Sequence, residues 1–176
     1  MRRTLKLSFL SGLLLTLSFA PFGLWPLAFI AFVPVLSALF SIDAPTLKAG
    51  VKRGFITGLF FGFFFFLGTI YWVVNSIFYF GGVPFVISIS VMLLLVLVMA
   101  LYPALFGAGV VLCRLSKMPQ VLILVFLPAL WVAIEYIRGH FFFLAFPWVL
   151  TGYTQVPFRP LIQVADLFGV WGVGFL

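Results

Sequence analysis

The pattern of this sequence is a series of long apolar runs, separated by short stretches rich in polar residues, proline or glycine. Each long run predicts a helix. Five runs meet or approach the roughly 20 apolar residues that a helix needs to cross a bilayer. They cover residues 7–20, 24–41, 55–75, 85–112 and 121–137. Between the runs, residues 21–23 and 81–84 carry turn residues, and residues 41–53 and 114–119 are predicted loops.

Two further apolar stretches do not predict a complete span. Residues 141–150 are too short to cross and contain Pro147, so a re-entrant or interfacial segment is predicted. Residues 161–176 begin a sixth span, which we expect to be truncated because the apolar run reaches the last residue. Residues 7–20 follow basic residues as in a signal peptide, but Pro21 is unfavourable after a cleavage site, so an uncleaved first helix is preferred.

The composition indicates that this chain lies in the hydrocarbon interior of a membrane. Hydrophobic residues make up 65% and charged residues 7% of 176 residues, more apolar surface than a soluble domain of this size could cover. The predicted fold class is therefore all-α, a polytopic transmembrane helix bundle forming one domain over residues 1–176. The +7 net charge comes from bases too scattered for a nucleic-acid surface. No Cys/His spacing, phosphate-binding glycine loop or Ser/His/Asp set occurs, so neither a metal nor a cofactor is predicted.

The positions of the bases predict the orientation of the bundle. With a cytoplasmic N-terminus, eight bases lie inside and two, Arg138 and Arg159, lie outside, as the positive-inside rule requires. The inside bases are Arg2, Arg3, Lys6, Lys48, Lys52, Arg53, Arg114 and Lys117. The outer face then collects most of the uncharged polar and aromatic residues, so a functional site is expected to open outward.

Glu135 and Arg138 are the most unusual candidate residues, because an acid near the centre of a transmembrane helix costs about 3 kcal/mol on insertion scales. They are three residues apart on a predicted helix and therefore able to pair. Either the pair ends the helix close to water and fixes its depth, or it holds the headgroup of a lipid substrate. In the second interpretation the other candidate lipid-binding residues on the outer face are Trp72, Asn75, Trp148 and Tyr153.

Three glycines predict a close helix contact. Gly54, Gly58 and Gly62 are spaced by four residues and share one face of the third helix. Without side chains on that face, the backbone of another helix can approach closely. Packing inside the chain is the preferred interpretation, and a homodimer contact is the alternative.

Seven sequence blocks carry a more specific signal. They are LSFAPFGLWPLAFIAFVPVL, GFITGLFFGFFFFLGTIYWVVNSI, FGGVP, PALFG, PALWVAIEYIRG, FPWVLTGYTQ and LFGVWGVGFL. In this order they resemble the membrane domain of the bacterial apolipoprotein N-acyltransferase family. That family transfers an acyl chain from a phospholipid to the N-terminal cysteine of a diacylated lipoprotein, at the periplasmic face of the inner membrane. The resemblance implies an inner-membrane location and a nitrilase-like catalytic domain with a Glu-Lys-Cys triad, whose cysteine forms a thioester.

The triad has no matching positions in these residues, and Cys113 lies at the inner end of the fourth predicted span. No catalytic residue is therefore assigned, and this chain alone is expected to be inactive. One interpretation is part of a split or interrupted enzyme, completed by a separate nitrilase-like chain. The others are a non-catalytic lipid-binding scaffold and a small transporter or channel. A transporter is disfavoured because it would need acids at mid-span and paired discontinuous helices.

Overall fold

A computed structural model describes residues 2–115, 119–141 and 145–176, and all regular secondary structure in these parts is helical, without a strand. In chain order the helices are α1 (Arg2–Ser18), α2 (Ala28–Phe40), α3 (Leu47–Thr69), α4 (Val73–Asn75), α5 (Phe85–Leu115), α6 (Gln120–His140), α7 (Arg159–Ile162) and α8 (Ala165–Phe175). Tighter 3-10 turns form at Trp25–Leu27 and Thr151–Gln155, and a π turn forms at Ser76–Phe80. The predicted all-α class is confirmed.

Three helices in the described part are long and apolar enough to cross a membrane. They are Leu47–Thr69, Phe85–Cys113 and Gln120–His140. Trp25–Phe40 and Ala165–Phe175 are shorter apolar helices. Helices with the length and hydropathy of membrane spans are therefore confirmed, whereas the exact number of spans stays a prediction.

The loop predicted over residues 41–53 is shorter than expected, because only residues 41–46 are non-helical and α3 already begins at Leu47. Thr46 caps this helix, its side-chain oxygen accepting a hydrogen bond from the Ala49 N–H at 3.2 Å. Charge suggested a loop, but long basic side chains can extend from the first turns of a membrane helix towards the headgroups.

Other predicted boundaries also move. The third helix ends at Thr69 rather than at residue 75, and short turns carry the chain onward. The helix predicted over residues 85–112 continues to Leu115, so the loop predicted from residue 114 begins later. Residues 116–118, which include the predicted inside base Lys117, lie outside the described residues.

The final apolar stretch is not one continuous helix. The partial span predicted over residues 161–176 is divided into α7 and α8, which are separate in the described chain. Within α8, Gly169 has φ 63° and ψ −167°, a conformation that interrupts the helix and that glycine adopts at little cost. The predicted sixth span therefore begins as two short helical pieces.

The tightest contact in the bundle joins α3 to α5. A Cβ atom added at Gly58 would lie 2.1 Å from the Pro103 carbonyl oxygen, and one added at Gly54 would lie 2.5 Å from the Gly107 carbonyl oxygen. The third residue of the set, Gly62, meets the Pro103 ring in the same way. Backbone therefore packs on backbone, and α5 of the same chain occupies the glycine face of α3.

Polar residues of α1 contact its neighbours through hydrogen bonds. The Ser8 hydroxyl donates to the Thr57 carbonyl oxygen of α3 at 3.1 Å. The Ser11 hydroxyl oxygen accepts from the Val35 N–H of α2 at 2.8 Å, directly after Pro34. Because proline disturbs the helical hydrogen bonds around it, a neighbouring serine can satisfy the backbone group that is left without its usual partner.

Candidate functional site

After α6 the chain reverses and runs back along the helix that it has just left. We call residues 145–155 the return segment. Its Phe146 N–H donates to the Arg138 carbonyl oxygen at 3.0 Å, and Thr151 Oγ1 accepts a hydrogen bond from Trp131 Nε1 at 3.2 Å. Trp131 precedes Arg138 by seven residues of α6, or about 10 Å at 1.5 Å per residue. The return segment therefore descends into the bundle, although residues 142–144 of the predicted re-entrant stretch lie outside the described residues.

Arg138 holds the return segment through its carbonyl groups. Nη1 donates to the Phe146 oxygen at 3.2 Å and to the Trp148 oxygen at 2.6 Å, while Nη2 donates to the Val149 oxygen at 3.3 Å. The guanidinium carbon also lies 5.2 Å from the centre of the Phe66 ring. Backbone without helical hydrogen bonds is tolerated at membrane depth only if the protein satisfies it. Arg138 supplies the hydrogen-bond donors for the carbonyl groups of three residues of the segment.

Glu135 holds Thr151, two residues further along the same segment. Its Oε1 accepts from the Thr151 N–H at 2.8 Å, and its Oε2 accepts from the Thr151 hydroxyl at 2.9 Å. Oε1 also lies 3.7 Å from Arg138 Nη2, so the two residues form an ion pair. Glu135 and Arg138 are each only 2% exposed, so both side chains are enclosed by protein. The carboxylate has both oxygens hydrogen-bonded and is not arranged as a free base.

Val149 has a backbone conformation that such a residue rarely adopts. Its φ is 59°, in the left-handed region, where a β-branched side chain is strained. Conformations of this kind cost about 1–3 kcal/mol and persist only where surrounding contacts enforce them. Here Arg138 binds the Val149 carbonyl, and Glu135 binds Thr151 two residues later. The ion pair therefore fixes a bent backbone immediately after Trp148.

Two tryptophans meet at the surface above this bend. The rings of Trp72 and Trp148 lie 5.2 Å apart, and Trp148 is 55% exposed while Arg138 binds its carbonyl oxygen. Asn75 and Tyr153 are also exposed, but within the described residues neither makes a side-chain hydrogen bond to this pair. The structure thus brings Trp72, Trp148 and Arg138 together, and Arg138 pairs with Glu135.

The principal residue that sequence reasoning missed is Thr151, the partner of both Glu135 and Trp131. It lies 16 residues after Glu135, and no helical periodicity connects the two positions. A usable signal was the proline-containing stretch after α6, whose backbone groups need partners if it lies within a membrane. Within the described residues, no group of three or more His, Cys, Asp and Glu side chains could hold a metal ion.

Comparisons with known proteins identify similar sequences over the whole length. The family profile described as apolipoprotein N-acyltransferase N-terminal domain matches residues 11–176. The apolipoprotein N-acyltransferase of Geobacter metallireducens is 39% identical over 175 residues, which is 99% of this chain and 32% of the relative. The Shewanella oneidensis enzyme of the same name is 36% identical over 173 residues, 98% of this chain and 32% of the relative. The chain thus spans about a third of the length of these relatives.

Proposed function

Because the chain belongs to the apolipoprotein N-acyltransferase family through that family's N-terminal domain, we propose that it forms the membrane domain of such an enzyme. The reaction is transfer of an acyl chain from a membrane phospholipid to the N-terminal cysteine of a diacylated lipoprotein. We assign the covalent chemistry to a nitrilase-like domain, either in the same polypeptide or in a separate chain. The helices described above would anchor that domain and present lipid to it.

The proposed location is the bacterial inner membrane, with a cytoplasmic N-terminus, five complete spans and the start of a sixth. The predicted charge distribution, eight bases inside and two outside, supports this orientation through the positive-inside rule. In this orientation Trp148 lies on the periplasmic side, where the family's lipoprotein substrates would be available. Arg138, one of the two outer bases, is buried against the return segment.

The observation that carries the proposal is the half-exposed Trp148, held against Trp72 by a backbone that Arg138 fixes. Indole rings suit the boundary between headgroups and hydrocarbon, since they combine a large apolar ring with one N–H donor. We propose that these two tryptophans contact the phospholipid, with the exposed Asn75 and Tyr153 as further contacts. Glu135 and Arg138 act as positioning residues, because neither side chain is exposed to a ligand.

A chimera tests this function. The corresponding third of the Geobacter metallireducens relative is replaced by this chain, and the chimera is expressed in a bacterial strain depleted of its own enzyme. We expect growth to be restored and a reporter lipoprotein to gain its third acyl chain, measured by mass spectrometry. Because the replaced region is 39% identical over 175 residues, the packing contacts with the remaining domain should be largely retained.

Trp148→Ala in the chimera is expected to reduce acyl transfer at least about tenfold. The stacking and hydrophobic contacts of an indole contribute a free energy of the corresponding size. The stability of the chimera should change little, since the ring is half exposed. Trp25→Ala is the matched control, because Trp25 stacks on Phe158 rather than on Trp72. The unaltered Geobacter metallireducens enzyme is the positive control. If it restores acyl transfer and the chimera accumulates in the membrane without doing so, the proposal is contradicted and a non-catalytic lipid-binding scaffold is supported.

A further inference from the structure

Two helices that lie side by side begin at the same end of the bundle. The Ser8 hydroxyl of α1 donates to the Thr57 carbonyl oxygen of α3 at 3.1 Å, and the Thr16 hydroxyl donates to the Phe65 carbonyl oxygen at 3.3 Å. Both hydrogen bonds join residues that are 49 positions apart. Because the residue numbers rise together along the two helices, α1 and α3 are parallel, and their first residues lie at the same end.

This arrangement gathers bases that come from two distant parts of the sequence. Five of them, which we call the basic layer, precede the Ser8–Thr57 contact by two to six residues: Arg2, Arg3, Lys6, Lys52 and Arg53. At 1.5 Å per residue they lie about 3–9 Å beyond that contact along the helices. The basic layer is therefore only about 6 Å thick along the helix axes.

The basic layer is not neutralised by acids of the described chain. All five side chains are exposed, and the ion pair found among the described residues joins Arg138 to Glu135 instead. The nearest acid along the sequence is Asp43, and Arg53 donates a hydrogen bond to its backbone carbonyl oxygen, not to its carboxylate. Like charges held at one level repel each other, so a negatively charged partner lowers the free energy of this surface.

The length of α3 places the basic layer at the level of lipid headgroups. Residues 54–113 contain no charge, and α3 continues from Arg53 to Thr69, a distance of about 24 Å. Tyr71 and Trp72 follow, and tyrosine and tryptophan are enriched at membrane interfaces. The hydrocarbon core is about 30 Å thick, and each headgroup region adds about 5–8 Å. One interface thus lies near Trp72 and the other at the basic layer, which has the thickness of a headgroup region.

The charge of the basic layer selects among lipids. A phosphate diester accepts charge-assisted hydrogen bonds from ammonium and guanidinium groups. In phosphatidylcholine the trimethylammonium group cancels the charge of the phosphate, whereas a glycerol headgroup leaves one negative charge on the lipid. A soluble polyanion would have to reach this surface from the water, while phospholipids already surround it at the same depth. We propose that the basic layer binds the headgroups of anionic phospholipids in the leaflet at the N-terminal ends of α1 and α3.

This binding is separate from the proposed acyl transfer. The transfer proposal places the donor phospholipid beside Trp72 and Trp148, at the opposite end of α3. In the proposed orientation the basic layer lies in the cytoplasmic leaflet, so the lipid bound there is not the acyl donor. Its negative charge offsets the repulsion between the bases of the two helices and so stabilises the contact of α1 with α3.

The test uses the purified chain in nanodiscs of dioleoylphosphatidylcholine. Trace amounts of phosphatidylglycerol or phosphatidylcholine, each with a diazirine next to the glycerol, are crosslinked by light, and mass spectrometry locates the modified residues. At residues 2–10 and 51–57 we expect the phosphatidylglycerol yield to be at least about fivefold higher, the factor that corresponds to about 1 kcal/mol for a base at an anionic surface. At residues 71–79, at the opposite end of α3, the two yields should be similar.

High salt provides a second measurement on the unaltered chain. The preference for phosphatidylglycerol at the basic layer should fall when the ionic strength is raised from about 0.1 M to about 1 M, because the screening length shortens from about 10 Å to about 3 Å. Both leaflets of a nanodisc contain the labelled lipid, so the result does not depend on the orientation of the chain. Neither comparison requires a variant.

Variants assign the preference to the basic layer. Arg3→Gln together with Lys52→Gln removes one base from each helix and should lower the preference at least about threefold, since each base near an anionic surface contributes separately. Arg3→Lys together with Lys52→Arg keeps both charges and should retain it. Arg159→Gln is the matched control, because it removes an exposed base outside the basic layer.

Three outcomes would overturn the proposal. The first is equal crosslinking of the two lipids at the basic layer of the unaltered chain. The second is a preference that persists at high salt or after Arg3 and Lys52 have been neutralised. The third is displacement of the labelled phosphatidylglycerol by millimolar glycerol 3-phosphate, which would indicate a site for a soluble anion.

Discussion

Replacement of Arg138 by methionine should destabilise the protein strongly, because it removes one member of a buried ion pair and leaves the other. Methionine has a similar length and fills most of the space. It donates no hydrogen bond, so the carbonyls of Phe146, Trp148 and Val149 lose their donor. Glu135 keeps its two bonds to Thr151 but becomes a buried charge without a counter-charge.

The magnitude follows from these losses. Bonds to a charged donor contribute about 1.5–3 kcal/mol each, but the three bonds share one guanidinium group and cannot be added independently. Removal of one partner from a buried pair typically costs about 3–5 kcal/mol, and we expect Arg138→Met to lie in that range. Arg159→Met is the control, with a change within about 0.5 kcal/mol, as is usual for an exposed surface position.

The assay is reversible unfolding by sodium dodecyl sulfate in mixed micelles, followed by tryptophan fluorescence and extrapolated to the free energy of unfolding. A double variant, Glu135→Gln with Arg138→Met, removes the uncompensated charge and retains an acceptor for the Thr151 N–H. It should be more stable than Arg138→Met alone by at least about 1 kcal/mol, within the range of coupling between contacting residues. If Arg138→Met unfolds within about 1 kcal/mol of the unaltered chain, or if the second substitution recovers nothing, the structural account of the pair is wrong.

Two further predictions concern the packing and the orientation of the bundle. Gly58→Ala should lower the free energy of unfolding by at least about 2 kcal/mol, measured in the same titration, because its Cβ would lie 2.1 Å from the Pro103 carbonyl oxygen. Gly109→Ala is the matched control, since the nearest atom there ends a flexible leucine side chain, and equal losses in the two variants would contradict the explanation. For the orientation, cysteines are introduced at Ala44 and Tyr79 in a background without the native cysteine. A membrane-impermeant maleimide added to spheroplasts should label the cysteine at position 79 and not that at position 44, and the opposite pattern would refute a cytoplasmic N-terminus.

The sequence by itself was sufficient for the features that depend on local pattern. Apolar runs of sufficient length predicted helices because a membrane requires every backbone group to be satisfied within its own segment. The three-residue spacing of Glu135 and Arg138 predicted that they could pair, and they lie 3.7 Å apart. The ordered blocks also indicated the family to which the comparisons assign the chain.

Local pattern was less reliable at the ends of helices. The bases of residues 41–53 suggested a loop, yet the Thr46 cap starts α3 at Leu47. Charge reports where a segment meets water or headgroups, but it does not report whether the backbone there is helical. Helix ends depend on a few individual hydrogen bonds, which hydropathy does not register.

The tertiary structure alone determined what the buried charges do. The bonds of Arg138 to Phe146, Trp148 and Val149 span 8 to 11 residues, and that of Glu135 to Thr151 spans 16. No period of a helix or strand connects such positions, because the contacts exist only after the chain has reversed and packed against α6. The burial of Gln155 Oε1, which has no hydrogen-bond partner, has the same origin, since a polar atom loses its water only when several separate elements enclose it. Composition and spacing were thus enough to predict a membrane environment and the helices. Reversal of the chain after α6 determined which polar groups became partners.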